Sequence, residues 1–179
     1  MDKLVEAALQ KWPNVPHCYG WLALDARGDW YMRDDRIQAS GPFPTVKGSR
    51  IEHEKLRQFI ERNYAADERG AWYFQNGPQR VYLELEAAPW VWRLTNSDGE
   101  GVKVHSHTGT PAAVESAWLD QHGRLFLATD IGFGIVHTQD MEAASDAIES
   151  GLWKLTETSF DRLPPQFKFV LAPQAPKPA

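Results

Sequence analysis

The sequence has a single cysteine, Cys18, which excludes an internal disulfide. It contains no run of 18 or more apolar residues, so no segment is expected to cross a membrane as a helix. No apolar export segment follows Met1, and together with the lone cysteine this predicts a cytoplasmic protein. A chain of 179 residues is nevertheless long enough to bury a stable core by packing alone.

Basic charge is also scarce, because 19 Lys and Arg residues face 24 Asp and Glu residues. Nucleic acids bind mainly through clustered cations on phosphate, so a net charge of −5 argues against a nucleic-acid partner. The glycine pattern of dinucleotide sites, the Gly-Lys-Ser/Thr of phosphate loops and the Gly-x-Ser-x-Gly of serine hydrolases are all missing. No cofactor is therefore predicted from a motif.

Two similar turns stand out in what the sequence does contain. "DARG" at 25–28 and "DQHG" at 120–123 each separate two runs in which apolar and polar residues alternate. In both, the aspartate is placed to accept hydrogen bonds from the backbone ahead of it, and the glycine is free to take a positive φ. Each stretch is predicted to be a β-hairpin.

Three helices are predicted from periodicity and end signals. A short amphipathic helix is expected between Asp2 and Pro13. Ser49 with Glu52 three residues later matches a capping box, which predicts a helix that begins at Ser49. This helix is expected to bury an apolar stripe of Leu56, Phe59, Ile60 and Tyr64. A third helix is expected over 138–150.

The similarity extends beyond the hairpins. "GAWYF" has a counterpart in "GLWKL", and "PQRVYLEL" has one in "PQFKFVL". In "PQRVYLEL", Tyr82 alternates with apolar residues, which predicts that it lies on a hydrated face of the sheet. The similarity predicts an α+β fold of two related ββαββ halves, 18–95 and 113–172, with mainly antiparallel sheet, helices packed on one side and a short N-terminal helix. The halves are expected to form one compact domain over 1–172, with an extra strand in the connector and a disordered tail at 173–179. The alternative is that segments rich in Trp and Gly merely look alike.

Tryptophan is unusually frequent, with eight residues, and most of these rings are expected to fill the core. Trp90 and Trp92 are the exception considered, because two positions apart on a strand they project to the same side. Exposed, they would form a stacking surface for a sugar or a planar ligand. Buried, they would be ordinary core residues.

Histidine supplies the one metal-like pattern. His105 and His107 would project from the same side of a strand, as two ligands of a first-row metal do. His137 or Asp130 would have to supply a third ligand. The alternative is that His-x-His is ordinary polar sequence.

The run "DIGFGIVHTQD" is the second candidate for a binding site. Asp130 is expected to end a strand, Gly132 and Gly134 would let the backbone approach a ligand, and His137 precedes a helix start that could attract an anion. A bulged strand that leads into a helix explains the same letters. Cys18 could act as a nucleophile only with a distant histidine, because its neighbour His17 projects to the opposite side of an extended chain.

Several stretches resemble a known family. "CYGWLALDARGDWYMRDD", "FIERNYAADERGAWYFQNGPQRVYLELEAAPWVWRL" and "AWLDQHGRLFLATDIGFGIVHTQDM" are similar to an uncharacterised family of proteobacterial proteins of unknown function. The resemblance covers nearly the whole chain. It implies a small bacterial cytoplasmic protein and assigns no activity, cofactor or catalytic residue.

The favoured hypothesis is a non-catalytic protein that binds an unknown small molecule or a protein. Its ligand is expected in a cleft between the halves, bordered by the run from Asp130 to His137 and on the other side by Asp35. The alternative is a metal-dependent hydrolase that uses His105, His107 and His137. A third possibility is a homodimer formed through edge strands.

Overall fold

The fold is described from a computed structural model, for residues 1–97 and 101–175. The chain forms two compact units. Unit 1 comprises Met1–Asp25, Asp29–Glu86 and the described end of the chain from Phe169, and unit 2 comprises Ala26–Gly28 and Ala87–Lys168. The unit limits differ from the repeat limits of 18–95 and 113–172, because the strand that carries Trp90 belongs to unit 2.

Unit 1 is built on one six-stranded sheet with three helices. Its helices are α1 (Lys3–Lys11), α2 (Asp35–Ser40) and α3 (Glu54–Arg62), and its strands are β1 (Cys18–Leu24), β2 (Trp30–Met32), β3 (Ser49–Arg50), β4 (Tyr64–Ala66), β5 (Trp72–Asn76) and β6 (Gln79–Leu85). The strand order is β3-β2-β1-β6-β5-β4. Only the central β1–β6 pair is parallel.

Unit 2 is built on a seven-stranded sheet. Its strands are β7 (Trp90–Ser97), β8 (Gly101–Ser106), β9 (Pro111–Ala112), β10 (Val114–Leu119), β11 (Leu125–Thr129), β12 (Gly132–Val136) and β13 (Leu155–Glu157), and its helices are α4 (Met141–Glu149) and α5 (Leu163–Gln166). The strand order is β13-β10-β11-β12-β7-β8-β9, and β10–β13 and β12–β7 are the parallel pairs. A mixed α+β fold with a mainly antiparallel sheet and a short N-terminal helix is confirmed.

Both predicted hairpins form, with the same turn chemistry. Asp25 accepts a hydrogen bond from the backbone N–H of Asp29 (3.0 Å), and Asp120 accepts one from that of Arg124 (2.9 Å). Both aspartates are buried, and both following glycines have positive φ, 85° at Gly28 and 73° at position 123. The internal duplication itself stays a prediction.

The predicted start of the helix α3 is wrong. The helix α3 begins at Glu54, and its N-cap is His53, whose Nδ1 accepts a hydrogen bond from the Leu56 N–H (3.2 Å). The expected capping residue Ser49 instead pairs with Met32 in the sheet. An imidazole nitrogen replaced the usual Ser or Asp acceptor, so the standard cap pattern pointed to the wrong residue.

The stretch "PQFKFVL" was expected to repeat the strand β6. Its first residues instead complete the short helix α5, and only Val170 makes a bridge, to Ala71 of unit 1. The Val170 N–H donates to the Gly70 carbonyl oxygen (3.0 Å), and the Leu85 N–H donates to that of Leu171 (2.8 Å). The chain end is therefore a part of unit 1. Residues 176–179 of the predicted tail lie outside the described residues.

The tryptophans divide among three environments. Trp30, Trp92 and Trp153 are buried, Trp72, Trp90 and Trp118 are half-buried, and Trp12 and Trp21 are exposed. Six of the eight rings are thus at least half-buried, and exposed Trp21 on β1 needs a separate explanation. No helix of the described residues has the length and apolar content to span a membrane.

Candidate functional site

The structure brings four predicted ligand-binding residues together, but against each other. Trp90 and Trp92 stack with ring centroids 6.2 Å apart, and their indole N–H groups donate to the carbonyl oxygens of Ile131 (3.1 Å) and Leu127 (3.0 Å). A Cβ at Gly132 would lie 2.8 Å from Trp90 Nε1, and one at Gly134 would lie 2.6 Å from Trp92 Nε1. The close approach that these glycines permit is therefore to tryptophan in the core.

Asp130 and His137, the other two residues of this run, have structural contacts. The Asp130 carboxylate accepts a hydrogen bond from the Ala113 N–H (2.7 Å). His137 is buried and caps a 3-10 helix at Thr138–Asp140, where its Nδ1 accepts from the Gln139 N–H (3.1 Å). Asp35, expected to face this run, is the first residue of α2 in unit 1.

The two histidines of the metal pattern differ in environment. His105 lies on β8 opposite Arg93, whereas His107 follows the strand end. The Nδ1 of His107 accepts a hydrogen bond from the Val91 N–H (3.2 Å), and its ring lies 5.8 Å from that of Trp90. Burial lowers the pKa of His107 to about 3, so the ring is neutral near pH 7.

A metal centre needs at least three donors in reach. Within residues 1–97 and 101–175, no group of three His, Cys, Asp or Glu side chains is placed to hold a metal ion. His105 and His107 thus gain no third ligand from His137 or Asp130 in this part of the chain.

Two pockets that could hold a ligand lie in unit 1, on the two sides of its sheet. In the cross-strand register, Cys18, Val81 and Phe74 form one row, and the next row is Tyr19, Tyr82 and Tyr73. Successive residues of a strand point to opposite faces. The first row lines an apolar pocket, and the second row lines a polar pocket.

The sequence predicted a solvated face at Tyr82, and that prediction is wrong. Tyr82 is only 2 % exposed. Its ring lies parallel to that of Tyr19 at 4.9 Å and edge-on to that of Tyr73 at 5.5 Å. The aromatic neighbours came from strands whose register the sequence did not reveal.

The apolar pocket has a volume of about 390 Å³ and lies between the sheet and α3. Its lining is mostly hydrophobic, with one thiol and two amides: Cys18, Trp21, Leu22, Met32, Ile51, Leu56, Phe59, Ile60, Phe74, Asn76, Gln79 and Val81. Ligand pockets of about 300–1,000 Å³ with apolar walls and few polar groups are the usual kind in proteins.

The helix α3 forms one wall of this pocket and is fixed at both ends. His53 caps its start, and the Nδ2 of buried Asn63 donates to the Phe59 carbonyl oxygen at its end (2.9 Å). In between, Glu61 accepts a hydrogen bond from the indole N–H of Trp30 (3.2 Å). Burial raises the pKa of Glu61, opposed by that hydrogen bond. The wall is thus held by contacts outside the pocket.

Three large apolar side chains of the lining remain exposed: Trp21 by 39 %, Met32 by 49 % and Leu56 by 37 %. Seven large hydrophobic side chains of the described residues are exposed, so this pocket accounts for three of them. The sequence assigned Leu56 to a buried stripe, because helical periodicity predicts the apolar face but not whether a neighbour fills the space beside it.

The chain belongs to the family described as "Protein of unknown function (DUF2946)", whose model matches residues 1–174. This confirms the expected membership of a family of unknown function that spans the chain. No functionally curated protein matches the sequence.

Two solved structures resemble the fold. A DUF1285 family protein from Silicibacter pomeroyi DSS-3 has 15 % sequence identity and a TM-score of 0.51, over 82 % of this chain and 84 % of that one. A DUF1285 family protein from Shewanella baltica OS155 has 13 % identity and a TM-score of 0.46, over 71 % of this chain and 91 % of that one. The first likeness concerns the fold alone.

Proposed function

We propose that the protein is a non-catalytic binding protein whose unit 1 takes up a small apolar or amphiphilic molecule in the pocket between α3 and the sheet. The observation that carries this proposal is a pocket of about 390 Å³ with almost entirely hydrophobic walls, left open within a folded unit. We also propose the cytoplasm as its compartment, where the free thiol of Cys18 in the lining would stay reduced.

Exposed apolar surface supports the proposal. Leaving a large apolar side chain in water forgoes about 1.5–3 kcal/mol relative to burying it. Trp21, Met32 and Leu56 are partly exposed side by side along one pocket, and contiguous apolar surface of this kind typically marks a binding site. A ligand that covers them recovers part of that free energy.

The polar groups of the lining suit an amphiphilic ligand. Asn76 and Gln79 pair across the β5–β6 turn, and the Gln79 Nε2 donates to the Pro16 carbonyl oxygen (2.9 Å). Amide groups offer both donors and acceptors to a hydroxyl or carbonyl group of a ligand. The walls otherwise supply shape and apolar contact, so the proposal assigns no chemical step.

The test is titration of the protein with N-phenyl-1-naphthylamine, a neutral dye that fluoresces in apolar sites, followed by displacement with 1-decanol. The variant is Leu56→Glu, which puts a carboxylate into the pocket wall. Because residue 56 lies in the first turn of α3, an acidic side chain there also suits the helix dipole and should leave the helix intact. We expect dye affinity to fall at least about tenfold, or about 1.4 kcal/mol.

The matched control is Leu4→Glu on α1, since Leu4 is 81 % exposed and does not line the pocket. This variant should bind the dye as the natural protein does. Saturable binding that Leu56→Glu leaves unchanged, or that both variants weaken equally, would contradict the proposal.

A further inference from the structure

The polar pocket on the other face of the unit 1 sheet has a volume of about 600 Å³. Its lining includes the row of Tyr19, Tyr82 and Tyr73 and also Arg80 on β6. His17 and the residues 66–69, at the end of β4 and in the turn that follows it, complete the lining. The pocket therefore combines aromatic faces with charged groups in one unit. Its residues do not overlap with those of the apolar pocket.

The hydroxyl of Tyr82 both donates and accepts a hydrogen bond. It donates to Asp67 Oδ2 (3.1 Å) and accepts from Arg80 Nη1 (3.4 Å). Tyr82 thereby fixes one end of the Arg80 guanidinium. The Arg80 guanidinium also packs over the ring of Tyr73, with its central carbon 4.5 Å from the ring centroid.

The hydrogen bonds and the ion pair of Asp67 are mostly within the turn that follows β4. It accepts hydrogen bonds from the backbone N–H groups of Arg69 (2.9 Å) and Ala71 (3.0 Å), and it forms an ion pair with the Arg69 guanidinium (3.1 Å). Burial acts to raise its pKa, but these hydrogen bonds and that of Tyr82 hold the pKa of Asp67 below its usual value. The charges of Asp67 and Arg69 therefore offset each other.

Arg80 is the second cation of the pocket and lies outside the ion pair of Asp67 and Arg69. It is half-buried, and no carboxylate of the described residues forms an ion pair with it. Burial and the positive charges of Arg80 and Arg69 lower the pKa of His17, which keeps the neighbouring imidazole neutral near pH 7. A guanidinium in this setting has unused donors for a carboxylate or a phosphate group.

We propose that the polar pocket binds a small organic anion, with its carboxylate or phosphate on Arg80 and its planar part stacked on Tyr19. Tyr19 is half-buried, and Tyr82 covers only one face of its ring. Stacking on the other face places a planar ligand beside the guanidinium. Glu68 also lines the pocket and is exposed, so the site disfavours ligands that carry more than one anionic group.

The experiment is calorimetric titration of the whole protein with phenyl phosphate, benzoate, inorganic phosphate and benzyl alcohol. We expect phenyl phosphate or benzoate to bind at least tenfold more tightly than both inorganic phosphate, which lacks the ring, and benzyl alcohol, which lacks the charge. The tighter of the two organic anions identifies the headgroup. Absence of saturable binding by either would overturn the proposal.

Three variants locate the site. Arg80→Gln removes the charge and should weaken binding of the organic anion at least tenfold, whereas Arg80→Lys should retain part of it. Tyr19→Leu should remove the preference for phenyl phosphate over inorganic phosphate. The control is Arg36→Gln on α2, an exposed arginine outside the pocket, which should change nothing.

A measurement on the natural protein guards against loss of folding in the variants. In NMR spectra, the organic anion should shift the Arg80 Nε–H and Tyr19 ring resonances first. Shifts confined to other residues, or undiminished binding by folded Arg80→Gln, would refute the assignment. Leu56→Glu should bind the organic anion normally, so the outcome at this pocket is independent of the outcome at the apolar one.

Discussion

A side chain at Gly134 would collide with Trp92, because a Cβ there would lie 2.6 Å from the indole Nε1. It would also lie 2.5 Å from the carbonyl oxygen of Trp90 on the neighbouring strand. Trp92 is fully buried and uses that Nε1 to donate to Leu127. The glycine thus allows β12 and β7 to pair while both indoles lie over the sheet of unit 2.

Gly134→Ala should therefore destabilise unit 2 by about 3 kcal/mol, the upper part of the range for overpacking a core. The residue does not have a positive φ, so crowding alone produces the loss. Urea unfolding followed by tryptophan fluorescence measures it. Gly123→Ala is the matched control, because at φ 73° it introduces backbone strain but no contact within 4 Å, and it should cost only about 1 kcal/mol. Equal losses in the two variants would contradict the crowding argument.

Local chemistry explains why part of this fold was predictable. The Asp-x-x-Gly turns determine their own conformation, so Asp25 and Asp120 could be placed from the letters alone. The register of β1, β5 and β6 depends instead on pairing between distant segments. The sequence therefore predicted a hydrated strand face at Tyr82 that tyrosines from two other strands cover.

The candidate site was the least predictable part. Motif reasoning favoured residues with recognisable spacing, such as His105 and His107 or Gly132 and Gly134. Their spacing arose from strand pairing and tryptophan packing. The apolar stripe on α3 could equally pack against other side chains or line an open pocket. Its sequence pattern is the same in both cases, so the pocket could not be predicted.

The turn at Asp120 provides the second prediction. Asp120 is 4 % exposed, and its carboxylate accepts from the N–H groups of His122 (2.9 Å) and Arg124 (2.9 Å) and from the Arg124 Nε (2.7 Å). Asp120→Ala should cost about 2–3 kcal/mol of unfolding free energy, because it removes three hydrogen bonds to a buried, charged acceptor. Hydrogen exchange should show faster exchange at the amides of those two residues.

The control for that turn is Asp146→Ala on α4. Asp146 is exposed, so its replacement should change the unfolding free energy by no more than about 0.5 kcal/mol. If the two alanine variants were equally stable, the carboxylate of Asp120 would not be holding the turn.

The pKa of His107 gives a prediction about pH. In the folded protein it is lowered to about 3 by burial, whereas in the unfolded chain it is near the usual 6.5. Between these values the unfolded chain binds more protons, so the contribution of the neutral ring is complete above pH 6.5 and is lost as pH falls toward 3. The slope is at most about 1.4 kcal/mol per pH unit.

His107→Asn preserves an acceptor for the Val91 N–H and removes the titration. The stability advantage of the natural protein over this variant should therefore shrink between pH 7 and pH 5. His122→Asn, in the exposed hairpin turn, is the control for the substitution itself and should change the unfolding free energy at pH 7 by no more than about 0.5 kcal/mol. NMR tests the same point directly, since a His107 ring resonance that titrates near pH 6.5 would show that the ring is hydrated.

The buried pair of Arg33 and Glu84 in unit 1 should respond unequally to mutation. Arg33 is 2 % exposed and donates to the Glu84 carboxylate, to the carbonyl oxygen of Gly41 (2.7 Å) and to that of Val46 (3.2 Å). Arg33→Ala removes all three hydrogen bonds and leaves the half-buried Glu84 carboxylate without its cation. We expect a loss of about 3–5 kcal/mol in the free energy of unfolding.

Glu84→Gln should cost less, about 1–2 kcal/mol at pH 8, because a Gln oxygen still accepts from Arg33 and only the counter-charge of the guanidinium is lost. Burial raises the pKa of Glu84 despite the opposing effect of Arg33. A carboxyl whose pKa is higher in the folded state stabilises the protein at low pH, and this contribution is lost as pH rises through the folded value. The natural protein should therefore gain stability relative to Glu84→Gln when urea unfolding is repeated at pH 5 instead of pH 8. A Glu84→Gln loss as large as that of Arg33→Ala would mean that the ionised carboxylate, rather than the hydrogen bonds of the arginine, holds this part of unit 1 together.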